Sequence, residues 1–120
     1  MKIAFTTSGT DLSAALDRRF GRAAAFLVFE TDDGTFEVVD NAQNLNAAQG
    51  AGIQAAQAVA NTGAKAVVSG NCGPKAYRVL EAAGVKVYNT DAATIEDALV
   101  RYREGRLNEA TAANVEGHWM

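Results

Sequence analysis

Apolar and polar positions fall along this chain in runs whose period changes, and the changes mark the elements. Lys2–Thr7 is an apolar run of strand length that gives way to Thr7-Ser8-Gly9-Thr10-Asp11, a turn-forming cluster. Leu12, Ala15 and Leu16 follow at helical spacing and predict a short helical turn that ends before Phe20-Gly21. Residues 25–31 and 35–40 are rich in aromatic and β-branched side chains and flank Asp32-Asp33-Gly34. An Asp-Gly pair between two such runs predicts an antiparallel hairpin with a type I′ turn. Residues 41–46 are polar and loop-like, and residues 53–61 are dominated by Ala and Gln, which favour helix.

After Thr62-Gly63 the pattern becomes strand, helix, strand, helix. Residues 66–69 form a short apolar run, and Ala76, Val79, Leu80 and Ala83 then repeat at i, i+3, i+4, i+7 until Gly84 stops the helix. Residues 85–88 are the next strand. Ile95, Ala98, Leu99 and Tyr102 mark one face of a further helix, opened by Thr94 with Asp97 as a capping box and closed by Gly105. The order β-β-β-α-β-α-β-α predicts an α/β domain with a mixed five-stranded sheet and helices on both faces. Residues 1–105 form this single domain. Residues 106–120 lack sustained periodicity and read as a C-terminal tail ending in Val115-Glu116-Gly117-His118-Trp119-Met120.

Composition narrows the chemistry. The 120 residues are 48% hydrophobic and 21% charged, which suits one globular domain and argues against disorder. A net charge of -3 gives no basic footprint for nucleic acid. The single cysteine rules out an internal disulfide or a cysteine-only metal site in one chain, and fits a reducing compartment. There is no apolar stretch of membrane-spanning length and no leader pattern at Met1, so the expected location is cytoplasmic, away from membranes. The one histidine, His118, lies in the tail, and Lys2–Thr7 carries no carboxylate. A hydrolytic triad, a metal-dependent nuclease and a four-ligand zinc site therefore all lack their parts. Binding, rather than enzymatic catalysis, is the expected role.

The candidate chemistry gathers at the strand ends. Cys72 sits between Gly70-Asn71 and Gly73-Pro74, and Pro74 suits the first position of a helix. A helix start favours anions, so a thiolate or an anionic ligand would be stabilised there; a lone buried cysteine is otherwise a small hydrophobe filling a gap. Arg18, Arg19 and Arg22 form either an anion-holding cluster or a solvated one paired with Asp17. Gly50-Ala51-Gly52 offers free amides at a helix start but meets neither the dinucleotide fingerprint nor the Walker pattern. With the later strands parallel to the first, the loops at 7–11, 71–74 and 89–91 share one edge carrying Ser8, Thr10, Asn71, Cys72, Asn89 and Thr90.

Arg19-Phe20-Gly21-Arg22-Ala23, Gln49-Gly50-Ala51-Gly52-Ile53-Gln54-Ala55-Ala56 and Gly70-Asn71-Cys72-Gly73-Pro74-Lys75-Ala76 occur in that order between a Met1-Lys2-Ile3-Ala4 start and a Val115-Glu116-Gly117-His118-Trp119 ending. This set resembles the dinitrogenase iron-molybdenum cofactor biosynthesis family over essentially the whole chain. The resemblance implies a ribonuclease-H-like fold without nuclease activity. It also implies a non-enzymatic carrier of an iron-sulfur or iron-molybdenum-sulfur cluster, with cofactor-assembly proteins as partners. By position, the implied cofactor-binding residues are Ser8, Arg19, Arg22, Gln49, Gly50, Gly52, Asn71, Cys72 and Gly73, with Cys72 as the metal ligand. Several cofactor-binding members have His where this chain has Arg19, and some have His where it has Gln49. What remains is a basic, amide-rich pocket for an anionic cluster, with Cys72 its one soft ligand.

Three readings stay open on the sequence. The first is the cluster carrier. The second is a metal-free regulatory or interaction module that binds a small anion or a partner protein. The third is a cysteine-dependent enzyme, which needs a reactive thiol. One thiol per chain also leaves two ways to hold a cluster: charge and hydrogen bonds, or a homodimer with two Cys72 loops facing across a two-fold axis.

Overall fold

In a computed structural model, which describes residues 1–41 and 51–110, the chain forms a mixed α/β domain. The strands are β1 (Lys2–Thr7), β2 (Ala25–Glu30), β3 (Phe36–Asp40), β4 (Ala66–Ser69), β5 (Lys86–Asn89) and β6 (Asn108–Glu109), and the helices are α1 (Ala51–Asn61), α2 (Pro74–Ala82) and α3 (Ile95–Arg103). One six-stranded sheet runs β3-β2-β1-β4-β5-β6. β1, β4 and β5 are parallel to one another, while the β1-β2, β2-β3 and β5-β6 pairs are antiparallel.

Alternation along the central strands divides the core between the two faces of the sheet. Ala4, Phe26, Val28, Val67 and Val87 point to the side covered by α1 and α2, where Ala55, Val59 and Leu80 meet them. Ile3, Phe5, Leu27, Phe29 and Val68 point to the other side and pack on Ile95, Ala98 and Leu99 of α3. Helices thus cover both faces. The start of α3 is fixed as its sequence predicts, with the Asp97 N–H donating to Thr94 Oγ1 at 3.1 Å.

The structure corrects the expected architecture in three places. The sheet has six strands rather than five, because Asn108–Glu109, in the segment read as a tail, pairs with β5 and brings Ala110 into the core. A two-residue exposed strand carries no periodic signal. The helical turn over 12–16 is absent: the segment is laid along its neighbours by bridges from Leu16 to Thr7 and from Ala15 to Thr94, and Leu12 and Leu16 reach the core from an irregular path. The β2-β3 hairpin is present, but Gly34 alone adopts a positive φ (76°), so the link is a loop over 31–34 rather than a type I′ turn. In that loop the Gly34 N–H donates to the Glu30 carbonyl, and the Glu30 N–H donates to the Thr35 carbonyl.

β3 is an edge strand, with Phe36 and Val38 exposed on one side and Glu37 and Asp40 among its charged positions. Among the described residues, no helix is long and apolar enough to cross a membrane.

Candidate functional site

Beyond its last residue, β1 does not continue; the chain returns and inserts itself at the carboxyl end of the parallel strands. Two buried threonines fasten the return. Thr6 Oγ1 donates to the Asp17 carbonyl at 2.8 Å, and Thr7 Oγ1 donates to the Ala15 carbonyl at 2.9 Å. The backbone then runs parallel to the loop after β4, pairing Arg19 with Asn71, and the Phe20 N–H donates to the Asn71 carbonyl at 3.0 Å. Gly70 permits this close approach, since a Cβ there would sit 2.7 Å from both the Arg18 Cα and its carbonyl oxygen.

The crossing separates two clefts. On one side is a cavity of about 650 Å³, lined by Arg18, Arg19, Gly70, Asn71, Asn89, Thr90, Asp91, Arg101, Arg106 and Asn108 among others. Its cations are not equivalent. Arg101, at the end of α3, is engaged by Asp91 at 2.8 Å and Asp97 at 3.1 Å, and this holds the Asp91 carboxyl below its ordinary range. Arg106 is paired with Glu104. Arg18 and Arg19 are exposed and form no ion pair among the described residues; Arg18 adds only a longer-range pull on Asp91. Two unpaired guanidiniums facing a polar cleft suit an anion.

Behind this wall lie two unsatisfied atoms, Ser69 Oγ and Asn89 Oδ1, both closed to solvent and without a hydrogen-bond partner. Ser69 and Asn89 are register partners on β4 and β5, and Asn108 faces Asn89 on β6. Leaving such groups unpaired costs about 1–3 kcal/mol each.

On the other side of the crossing, a cavity of about 410 Å³ is lined by Phe20, Gly21, Gly52, Ile53, Gly73, Pro74, Lys75 and Ala76. The first turns of α1 and α2 both border it, and neither carries an acidic residue. Gly73, the N-cap of α2, has φ -70° and ψ 165°, which any residue adopts, and a Cβ there would meet nothing within 4 Å. A Cβ on Gly52 would make only an ordinary 3.6 Å contact with Ala76. Neither glycine is demanded by the backbone. Their effect is a bare, largely apolar surface at the starts of two helices.

Cys72 lies under the crossing and opens onto neither cleft. It is 1% exposed and packs with Ala4, Phe20, Phe26 and Ala76. Burial pushes its pKa up to about 12, so the thiolate expected at a helix start is corrected to a protonated thiol. Desolvation outweighs the helix end, because the sulfur faces apolar side chains rather than the amides. The reactive thiol that a cysteine-dependent enzyme needs is not found here.

Of the residues expected at the site, Arg19 and Asn71 line the larger cleft, and Gly52 and Gly73 line the smaller. Ser8 and Arg22 are exposed and line neither. Gln49 and Gly50 lie outside the described residues, as does the tail at 115–120. The expectations missed Arg101 and Arg106. Their only signal was position, at the end of a helix whose strand feeds the same edge. Among the described residues, no group of three or more His, Cys, Asp or Glu side chains is placed to hold a metal ion.

Comparison with known proteins finds relatives of the same fold. The family model for the dinitrogenase iron-molybdenum cofactor matches residues 1–105. The apo form of the orange protein from Desulfovibrio gigas is 40% identical, with a TM-score of 0.89 over 92% of each chain. The Thermotoga protein TM1290, described as a candidate NifB protein of the DUF35 family, is 36% identical, with a TM-score of 0.79 over 90% of this chain and 91% of its own. An uncharacterised protein of Methanocaldococcus jannaschii, MJ0580, is 32% identical over 112 residues, 91% of each chain.

Proposed function

The chain belongs to the dinitrogenase iron-molybdenum cofactor family, and from that premise we propose that it is a non-enzymatic carrier of an anionic iron-sulfur or iron-molybdenum-sulfur cluster. The observation that supports this most directly is the cleft of about 650 Å³ faced by Arg18 and Arg19, whose charges are not committed at contact distance to any carboxylate of the described residues. Such a cleft holds an anion by charge-assisted hydrogen bonds. Arg19, Asn71 and Asn108 add donors from three different segments. The cargo in this reading is held without a covalent ligand, since Cys72 is buried and lines neither cleft. That favours the electrostatic arrangement over a dimer joined through two Cys72 loops. Delivery to cofactor-assembly proteins follows from weak, reversible holding, because a charge-held cargo is released wherever a partner offers stronger ligands.

A second reading has its own observation: the cleft wall is built of nitrogen and oxygen donors with no soft ligand, which suits a small oxygen-rimmed anion as well as a sulfide-rimmed cluster.

Anaerobic reconstitution with iron, sulfide and molybdate, followed by gel filtration and metal analysis, tests the carrier reading. Metal is expected to co-elute with the protein, to be retained by Cys72→Ala, and to fall at least about tenfold in affinity in the Arg18→Ala/Arg19→Ala variant or in high salt. Wild-type protein that emerges free of metal overturns it.

A further inference from the structure

Acidic residues are absent from two long stretches of the chain, 18–29 and 41–80. Those stretches supply the crossing, α1, β4 and most of α2, so the charge around the smaller cleft is of one sign. Phe20 and Gly21, which line the cleft, are bracketed in sequence by Arg19 and Arg22, and Lys75 lines the cleft itself. Arg19, Arg22 and Lys75 are exposed and form no ion pair among the described residues. Neighbouring cations repel one another, and carboxylates from a second molecule would offset that repulsion.

Within this rim the cleft is recessed and apolar. Phe20 and Ala76 are buried, Ile53 and Pro74 are half-buried, and the volume of about 410 Å³ lies in the range of roughly 300–1,000 Å³ that concave binding sites span. That shape decides between kinds of polyanion. A membrane is entered by apolar side chains that protrude, whereas these are withdrawn. A nucleic acid offers phosphates to the rim but no protruding apolar group to fill the hole. A protein segment supplies both, carboxylates for the rim and an apolar side chain for the centre.

We propose that this end of the molecule is a docking surface for an acidic segment of a partner protein, which seats one apolar side chain in the smaller cleft while its carboxylates meet Arg19, Arg22 and Lys75. The inference does not rest on the cargo of the larger cleft, which Arg22 and Lys75 do not line.

The test is fluorescence anisotropy of the full chain at low salt with a labelled peptide of Asp, Glu and Gly residues around a single central Leu. Replacing that Leu with Ser is expected to weaken binding about tenfold or more, and replacing the acids with Asn and Gln to abolish it. Arg22→Glu/Lys75→Glu lowers affinity for the Leu peptide at least about tenfold. Gly73→Leu suits the backbone, at φ -70° with open space for its Cβ, and puts bulk on the cleft wall. It is expected to bring the Leu peptide down to the level of the Ser peptide, which itself binds as it does to the wild type. Equal affinity of the wild type for the Leu and Ser peptides overturns the proposal. So does a Leu-peptide affinity that survives the double charge reversal in a variant with native circular dichroism. Binding to phosphatidylglycerol vesicles with none to the peptide also overturns it, and assigns the rim to a membrane. None of these results bears on metal retention in the reconstitution experiment, which reads the larger cleft separately.

Discussion

The two clefts flanking the Arg19–Asn71 crossing are built from neighbouring residues by opposite means. On one side, long charged side chains from four segments converge on a polar cavity; on the other, glycines withdraw side chains and leave the starts of α1 and α2 bare. Arg19 and Phe20 are consecutive, as are Asn71, Cys72 and Gly73, yet they serve different cavities or none. The lesson is that a motif read as one site is, in the fold, a seam, and the crossing is what turns its residues to one side or the other.

The strongest way to break this comparison is to remove the crossing itself. Gly70→Ala places a Cβ against the Arg18 backbone, which cannot yield as a flexible side chain would, and is expected to cost about 3 kcal/mol or more and to disrupt both clefts together. Urea denaturation, with anion titration of whatever folded fraction remains, reads both effects. A variant as stable as the wild type would show that the segments need not touch.

Next comes the thiol beneath the seam. Its folded pKa of about 12 lies above the value of 9.0 for an unburied thiol, so the stability it contributes is complete below about pH 9 and is lost as pH rises toward 12. Near pH 11 the loss is about 2–3 kcal/mol. Denaturation curves across that window are expected to fall more steeply for the wild type than for Cys72→Ala; parallel curves would place the thiol in water.

Smaller and opposite in sign is Gly52→Ala. With ordinary contact to Ala76 and a position inside α1, the substitution is expected to stabilise the fold by about 0.5–1 kcal/mol, in contrast to Gly70→Ala. A lower melting temperature would mean that this glycine serves the backbone after all. The finest adjustment is Asp91→Asn, which loosens the hold on Arg101 and is expected to raise anion affinity in the larger cleft about two- to threefold, the scale of an exposed ion pair. Below the lowered pKa of Asp91, wild type and variant should converge, since protonation of the carboxyl does what the substitution does.

Much of this was legible in the sequence, and the illegible part has physical causes. Period-2 and period-3.6 patterns located β1 to β5 and all three helices, because burial on one face or both leaves a repeating trace. Leu12, Ala15 and Leu16 misled because apolar side chains three and four apart can also enter a core from an irregular segment held by bridges to Thr7 and Thr94. β6 was invisible since two exposed residues have no period. At the site, the Arg19 and Asn71 motifs pointed to an edge of the sheet where both residues line the larger cleft. Sequence spacing carried no information on which side of the crossing each residue would fall, nor that Cys72 would face Phe20 and Phe26 instead of the amides beside it. The contribution of Arg101 and Arg106 depends on where α3 ends relative to β4, a relation fixed only by the assembled sheet.

The exposed strand β3 has a practical consequence remote from any ligand. Among the described residues its outer edge has no neighbouring strand, and it bears Phe36 and Val38 on one side, while Glu37 supplies negative charge. Like charge keeps two such edges from zipping together at neutral pH. Salt screens that repulsion and leaves a sticky ribbon of aromatic and aliphatic side chains. Colloidal behaviour on concentration or storage is therefore governed by the hairpin: in high salt the protein would be lost to edge-to-edge precipitation while each molecule remained folded.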